Sequence, residues 1–223
     1  MNTFIIACET LKDELNKAVE ETGCEYPVLY IESGLHDVPK KLNKVLQETI
    51  DKGEEQGADR LLFVMGFCGN ATQGIKPKTS TLIIPRVDDC ITLLLGSQKR
   101  RKELQESGGT YFMTKGWVDG ERNILSMRQY MMERYGEDAG EEIFNMMFGN
   151  YSRIGLLDTG AYDMEPVTEE VKKAAEAIGF RWEIFRASVD YIKETLTGPW
   201  PDERYLTVLP GSEVEGKDLW IIN

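Results

Sequence analysis

Three of the four cysteines and the single histidine follow short apolar runs at positions that could build a metal site. Cys8 comes directly after the first run, His36 lies in the segment after the second, and Cys68 and Cys90 follow the third and fourth. Three thiolates and one imidazole match a tetrahedral zinc site, and three thiolates alone could hold an iron–sulfur cluster. The sequence therefore predicts Cys8, His36, Cys68 and Cys90 as metal ligands.

The apolar runs that precede these residues have the length of buried strands, and amphipathic helix patterns separate several of them. The runs cover residues 4–7, 28–31, 61–65 and 81–84. Alternation of strand and helix predicts βαβ units and a parallel sheet. Because ligands bind at the carboxyl ends of the strands in such sheets, we expect all four ligands at one sheet edge.

The second part of the chain repeats the alternation after a change of texture near residue 97. We predict strands at 110–113, 154–157, 182–185 and 205–210, a mostly helical stretch at 121–148, and helices at 167–178 and 188–196. The predicted fold is α/β, with a largely parallel sheet flanked by helices and two α/β halves with a helical insertion. The chain is expected to form a single compact unit, with halves at 1–118 and 119–223.

The loop after the third strand could also hold an anion. Gly66 and Gly69 allow a tight turn, and Gly69, Asn70 and Thr72 could aim backbone N–H groups at a ligand. Arg86 could bind a carboxylate or phosphate through two hydrogen bonds. The alternatives are an ordinary strand-to-helix turn capped by Asn and Thr, and an arginine that pairs with the aspartates beside it.

Acid–base chemistry at this edge would use His36 and Asp88. If all four ligands close around zinc, the site is structural; if His36 stands off, the metal keeps an open position that can activate a thiol, water or substrate oxygen. One of Asp88 and Asp89 is expected to cap the following helix, which leaves the other for proton transfer. A metal-free hypothesis is a Cys–His enzyme in which Cys68 is the nucleophile and His36 is its partner.

Charge and hydropathy exclude several classes of protein. The 223 residues carry 26 basic and 38 acidic side chains, for a net charge of −12, which repels nucleic acid and anionic membranes. The basic run at 99–102 is predicted as a solvated helix face. No apolar stretch approaches the roughly 18 residues of a membrane span, and the first residues lack the features of a signal peptide. We therefore expect a cytoplasmic protein, in which cysteines serve metals, catalysis or burial.

Several of these motifs together resemble the DUF1638 family, an uncharacterised family of anaerobic bacteria and methanogenic archaea. The resemblance runs from about Cys8 to the Tyr151 region. Its most specific motif is Ile-Pro-Arg-Val-Asp-Asp-Cys at 84–90. The other motifs are Ala7-Cys8, His36, Gly-Phe-Cys-Gly at 66–69, Leu-Leu-Gly-Ser at 94–97, Gly-Thr-Tyr at 109–111 and Gly-Trp at 116–117. Members of this family are often met near corrinoid-dependent methyltransferase systems, which implies a role in anaerobic one-carbon metabolism.

The resemblance and the ligand set together give a leading hypothesis and two alternatives. The leading one is a metal-dependent enzyme, with zinc first and an iron–sulfur cluster second, that acts on a small-molecule substrate or a corrinoid methyltransferase protein. The Asp-x-His-x-x-Gly pattern of corrinoid-binding domains is absent around His36, so the chain is not expected to carry the corrinoid itself. The alternatives are a non-catalytic accessory or chaperone protein and a metal-free enzyme of Cys68 and His36.

Overall fold

The computed structural model describes residues 1–106, 108–120 and 123–219, and in them the chain is an α/β protein with two sheets. The strands of the first sheet are β1 (Thr3–Cys8), β2 (Val28–Ile31), β3 (Arg60–Val64), β4 (Thr81–Pro85) and β8 (Tyr205–Val208). They lie in the order β2-β1-β3-β4-β8. The first four strands are parallel, and β8 runs antiparallel to β4 at the edge.

The second sheet is smaller and wholly parallel. Its strands are β5 (Thr110–Met113), β6 (Arg153–Asp158) and β7 (Arg181–Arg186), in that order. The α/β class, the mostly parallel first sheet and the flanking helices confirm the predicted fold. The division into halves at residue 118 stays a prediction; β5, which precedes that point, pairs with β6, which follows it.

Helices connect the strands and cover both sheets. They are α1 (Lys12–Thr22), α2 (Pro39–Glu55), α3 (Cys90–Leu95), α4 (Gln98–Glu106), α5 (Lys115–Val118), α6 (Ile124–Tyr135), α7 (Glu137–Phe148), α8 (Met164–Ile178) and α9 (Asp190–Thr197). The stretch predicted as helical at 121–148 forms α6 and α7, which separate at Gly136 with φ 86°; residues 121 and 122 lie outside the described residues. Within the described part of the chain, no helix is both long enough and apolar enough to cross a membrane.

The core explains why β1 and β3 read as continuous apolar runs. Ile5, Ile6, Leu61 and Leu62 are fully shielded from solvent, so successive residues that point to opposite faces of the sheet are both buried. A parallel sheet is covered on both faces by its crossover helices, which removes the polar alternation of a half-exposed strand. The same core includes Phe112 at the second sheet, so apolar packing is continuous between the sheets.

One ionisable side chain is buried between α1 and the segment after β6. Glu14 is fully shielded from solvent, and the Thr159 hydroxyl donates to its Oε1 at 3.3 Å. Its Oε2 has no hydrogen-bond partner among the described residues. Burial raises the pKa of Glu14 from 4.5 to about 7, because the charged form loses its hydration.

The raised pKa of Glu14 predicts a pH-dependent stability. The folded state keeps a proton that the unfolded chain releases near pH 4.5, so the contribution of this group is full below that pH and is lost as the pH rises to about 7. The loss is on the order of 3 kcal/mol at most. We expect Glu14→Gln to be more stable than wild type at about pH 8 and to lose less stability between about pH 5 and 8, measured by urea unfolding. Glu20→Gln, on the exposed side of the same helix, is the control and should follow the wild-type pH profile.

Candidate functional site

The order of the strands places a crevice at the carboxyl end of the first sheet. β1 and β3 are neighbours, but β1 connects to β2 on one side while β3 connects to β4 on the other. Such a reversal leaves a gap between the two departing loops, and open parallel sheets bind ligands there. Cys8 is the last residue of β1, and Cys68 lies in the loop that leaves β3. Two of the predicted ligands therefore flank the reversal.

Close backbone approach brings the third cysteine to the same place. The Cys68 N–H donates to the Asp88 carbonyl at 2.8 Å, which joins the loop after β3 to the loop after β4. A Cβ added at Gly66 would lie 2.7 Å from the Cα of Asp89, so only glycine allows the two loops this contact. Cys90 begins α3 at the end of the second loop. The two loops therefore hold Cys68 and Cys90 side by side.

The three thiols form a cluster centred on Cys90. The Cys90 thiol is within hydrogen-bond reach of both the Cys8 and the Cys68 thiols. The Cys8 Sγ also donates to the Thr10 hydroxyl oxygen at 3.2 Å. All three cysteines are free, and so is Cys24, which lies apart from the cluster before β2. The structure thus brings together the three predicted thiol ligands.

Contact between the thiols makes their ionisation unfavourable. The hydrogen bond to Cys90, followed by burial, raises the pKa of Cys8 well above its usual value. For Cys90 the contact with Cys68 is the largest cause, and burial adds to it, so its pKa is also well raised. A thiolate at either position would lie beside other sulfurs with little solvent to screen its charge. Cys8 and Cys90 are therefore protonated at neutral pH in the metal-free protein.

The loop that carries Cys68 is held in a left-handed backbone conformation. Cys68 has φ 46° and Asn70 has φ 66°, with Gly69 at φ 65° between them. Asparagine tolerates this region, but for a cysteine it costs about 1–2 kcal/mol relative to glycine. Such strain persists where surrounding contacts fix it, and it clusters at functional sites. A glycine would meet the backbone requirement better, so the thiol itself is the reason to suspect function at this position.

A cavity of about 410 Å³ lies over the thiol cluster. Of the predicted site residues, it is lined by Cys8, His36, Cys68, Gly69, Asp88 and Cys90. This volume is within the range of small-molecule sites, which begins at about 300 Å³. The cluster is thus reachable by a ligand of modest size rather than sealed in the core.

Aromatic side chains from β5 and from the segments that follow β5 and precede β6 form another wall of this cavity. Tyr111, Phe112, Trp117 and Tyr151 line it. Tyr111 and Tyr151 meet edge to face, with ring centroids 5.8 Å apart. Burial, with a smaller effect of the Asp37 charge, raises the pKa of Tyr111 to about 12, so its hydroxyl is neutral at physiological pH. The cavity therefore has sulfur groups on one wall and aromatic groups on another.

Asp88 and Asp89 take different roles in the structure. The Asp89 carboxylate caps α3, where it accepts hydrogen bonds from the N–H and the hydroxyl of Thr92 at 2.7 and 2.8 Å. Asp88 is exposed, accepts a hydrogen bond from Gln98 and lines the cavity. The cap is thus Asp89, and Asp88 remains the candidate for proton transfer.

The structure does not bring three of the predicted anion-binding residues to the cavity. Asn70, Thr72 and Arg86 are not among the described residues that line it. Thr72 is fully buried, whereas Asn70 is exposed. The Arg86 guanidinium donates to the backbone carbonyls of Asp202 and Asp218, each at 2.7 Å, and so anchors the segment around β8. Gly69 alone of this group lies at the cavity.

The types of side chain at this site suit a metal ion better than their positions in the structure do. Among the described residues, no three His, Cys, Asp or Glu side chains converge as they stand into a group that could hold a metal ion. His36 lines the cavity with a side chain that is 42% exposed, and its Nε2 lies 3.4 Å from a carboxylate oxygen of Asp37. Three contacting thiols are nonetheless the donors that zinc and iron–sulfur clusters use.

Sequence reasoning missed two charged residues of the cavity, Glu32 and Arg101. Arg101 belongs to the basic run at 99–102, which was predicted as a solvated helix face, yet its side chain is 24% exposed and lines the cavity. Spacing alone could not single it out, because its place depends on how α4 packs against β5. The guanidinium lies over the Phe112 ring, 4.5 Å from its centroid.

A comparison with protein families gives a match over most of the chain. The family model described as protein of unknown function (DUF1638) matches residues 30–196, from the end of β2 into α9. No curated protein and no solved structure matches the chain. The matched range includes His36, Cys68 and Cys90, whereas Cys8 precedes it.

The strained backbone at Cys68 predicts that glycine at this position gives a more stable protein than serine does, although neither variant keeps the thiol. Cys68→Gly should be about 1 kcal/mol more stable than Cys68→Ser, because glycine removes the left-handed strain and serine keeps it. Both variants should lose whatever function the thiol supplies. Urea unfolding of the two variants measures the difference. Asn70→Gly is the matched control. It should stabilise the protein relative to wild type by less than glycine at position 68 does relative to serine, since asparagine already tolerates this conformation. Equal stability of the two Cys68 variants would contradict the strain.

Proposed function

Because the chain belongs to the DUF1638 family, whose description assigns no activity, we propose a function from the cavity itself. The protein binds a soft metal ion, zinc in the first place and an iron–sulfur cluster in the second, through Cys8, Cys68 and Cys90. It is an enzyme that acts on a small molecule held in the adjoining cavity. The supporting observation is the pair of thiol contacts that centre on Cys90 at the strand reversal.

Electrostatics favours a cation in this cluster. The thiol contacts and the burial that raise the pKa values of Cys8 and Cys90 disfavour the thiolate forms of these side chains. A divalent ion reverses this effect, since it binds the thiolates and displaces their protons. The same contacts that hinder ionisation in the metal-free protein therefore favour metal binding. We propose that the cysteine side chains turn toward the ion when it binds.

His36 decides whether the proposed site is closed or open. As a fourth ligand it would complete a structural zinc site; as an acid–base group it would leave a metal position for the substrate. Its exposed side chain and its pairing with Asp37 favour the second role. Asp88, on the same cavity and exposed, is proposed as a proton carrier.

The reaction class that we propose is methyl transfer to a thiol. A bound zinc would keep a substrate thiol in its nucleophilic form. The chain's own part is to hold the acceptor against Tyr111 and Trp117 and to limit water at the sulfur groups. The family resemblance points to corrinoid-linked one-carbon metabolism as the source of the methyl group. We place the protein in the cytoplasm, where thiols stay reduced.

Metal content tests the proposal directly. Protein purified without oxygen should carry about one zinc, or iron with sulfide, per chain by elemental analysis. Cys8→Ser, Cys68→Ser and Cys90→Ser should each lower metal content by tenfold or more, an order-of-magnitude expectation for the loss of a ligand. Cys24→Ser is the matched control, because this free cysteine lies apart from the cluster, and its metal content should equal that of wild type. Unchanged metal content in all three cluster variants would refute the site.

A second candidate is a metal-free thiol enzyme, supported by the strain at Cys68. This residue lines the same cavity as His36, whereas Cys90 is buried. A nucleophile needs access and a base within reach, and Cys68 has the access. Iodoacetamide labelling followed by peptide mapping separates the candidates. One fast-reacting cysteine at position 68 in metal-free, untreated protein supports this candidate; labelling that requires prior removal of metal supports the metal site.

A further inference from the structure

The cavity contains a single fixed positive charge. Among the described residues that line it, Arg101 is the one lysine or arginine, in a chain with a net charge of −12. The acidic side chains on the same cavity are Glu32, Asp88 and Asp89. Glu32 and Asp88 are exposed, whereas Asp89 is partly buried as the cap of α3. Arg101 therefore lies at the inner part of a site whose exposed charges are negative.

The hydrogen bonds of Arg101 leave its guanidinium incompletely paired. Its Nη2 lies 3.4 Å from Oδ2 of Asp89, a long contact for a charged pair, while Oδ1 of that carboxylate serves Thr92. Its Nη1 is buried and has no hydrogen-bond partner among the described residues. A buried N–H without an acceptor is unfavourable, because it has lost its hydration and gained no partner in exchange. The Phe112 ring holds the guanidinium plane in this position.

Two other partly buried arginines, Arg86 and Arg153, make more hydrogen bonds than Arg101 does. Arg153 donates to the Thr110 hydroxyl, the Glu183 carboxylate and the Leu104 carbonyl at 2.7–3.0 Å. Arg86 likewise donates to several backbone carbonyls. Neither side chain lines the cavity. Arg101 differs from both in having one long contact and a place on the cavity wall.

We propose that Arg101 binds the carboxylate of the small molecule that occupies this cavity. This inference rests on the proposed function only in that it concerns the same cavity. The planar guanidinium can offer two parallel N–H groups to a carboxylate, and Nη1 gains an acceptor when the side chain turns to the ligand. A monocarboxylate is favoured over a phosphate, because a dianion would meet stronger repulsion from Asp88, Asp89 and Glu32. The rest of the ligand packs against Tyr111 and Trp117.

A panel of matched acids and amides tests this assignment. Acetate, benzoate and 3-phenylpropionate, each beside its neutral amide, are titrated into the full chain by calorimetry at low ionic strength. At least one acid should bind roughly tenfold or more tightly than its amide, since a hydrogen bond to a charged group is worth about 1.5–3 kcal/mol. Arg101→Gln should abolish that preference, and Arg100→Gln, at the neighbouring position outside this cavity, should keep it.

The outcomes separate this inference from the metal proposal. If Arg101→Gln does not fold, Arg101→Lys keeps the charge but loses the fork, and it should weaken the acid while metal content stays as in wild type. Tighter binding of phenyl phosphate than of benzoate would overturn the assignment to a carboxylate. No acid preference in any pair, or one that survives in Arg101→Gln, would overturn the role of Arg101. A metal-free protein that still prefers the acids would refute the metal site and leave this inference standing.

Discussion

The candidate site depends on the close approach of two backbone segments, the loop that leaves β3 and the loop that leaves β4. The hydrogen bond from the Cys68 N–H to the Asp88 carbonyl joins them, and the missing side chain of Gly66 gives room for the Asp89 backbone. Without this contact the two loops would diverge from their neighbouring strands, and the thiols of Cys68 and Cys90 would not meet. The strand order places Cys8 beside them, because β1 is the other neighbour of β3.

This approach works against local preference, which the surrounding core has to offset. A cysteine with a positive φ costs about 1–2 kcal/mol, and contact with Cys68 together with burial makes ionisation of the Cys90 thiol unfavourable. The buried, fully paired strands on either side supply the rigid frame that fixes such an arrangement. A loop selected for stability alone would have glycine at position 68. The strained cysteine at position 68 is consistent with the sulfur site that we propose.

Sequence patterns located the edge correctly because they report on local periodicity and strand ends. The apolar runs before Cys8, Cys68 and Cys90 predicted parallel strands, and parallel strands fix where the loops emerge. The same reasoning could not foresee Arg101 on the cavity or Arg86 away from it. Their positions follow from the packing of α4 and of the segment around β8, which joins the sheet from a distant part of the chain. The break between α6 and α7 was also missed, although Gly136 marks it.

The second sheet is part of the site rather than a separate body, and contacts near Cys8 explain how. A Cβ at Gly116 would lie 2.0 Å from the Thr10 carbonyl oxygen, so the segment after β5 packs against the turn that follows Cys8. Lys115 reinforces this contact, with its ammonium 3.1 Å from Asp13. The aromatic wall is thus held at a fixed place relative to the sulfur groups. Glu14 follows Asp13 in α1 and contacts Thr159 in the loop after β6. Loss of its proton would therefore affect the contacts between the two sheets that shape the cavity.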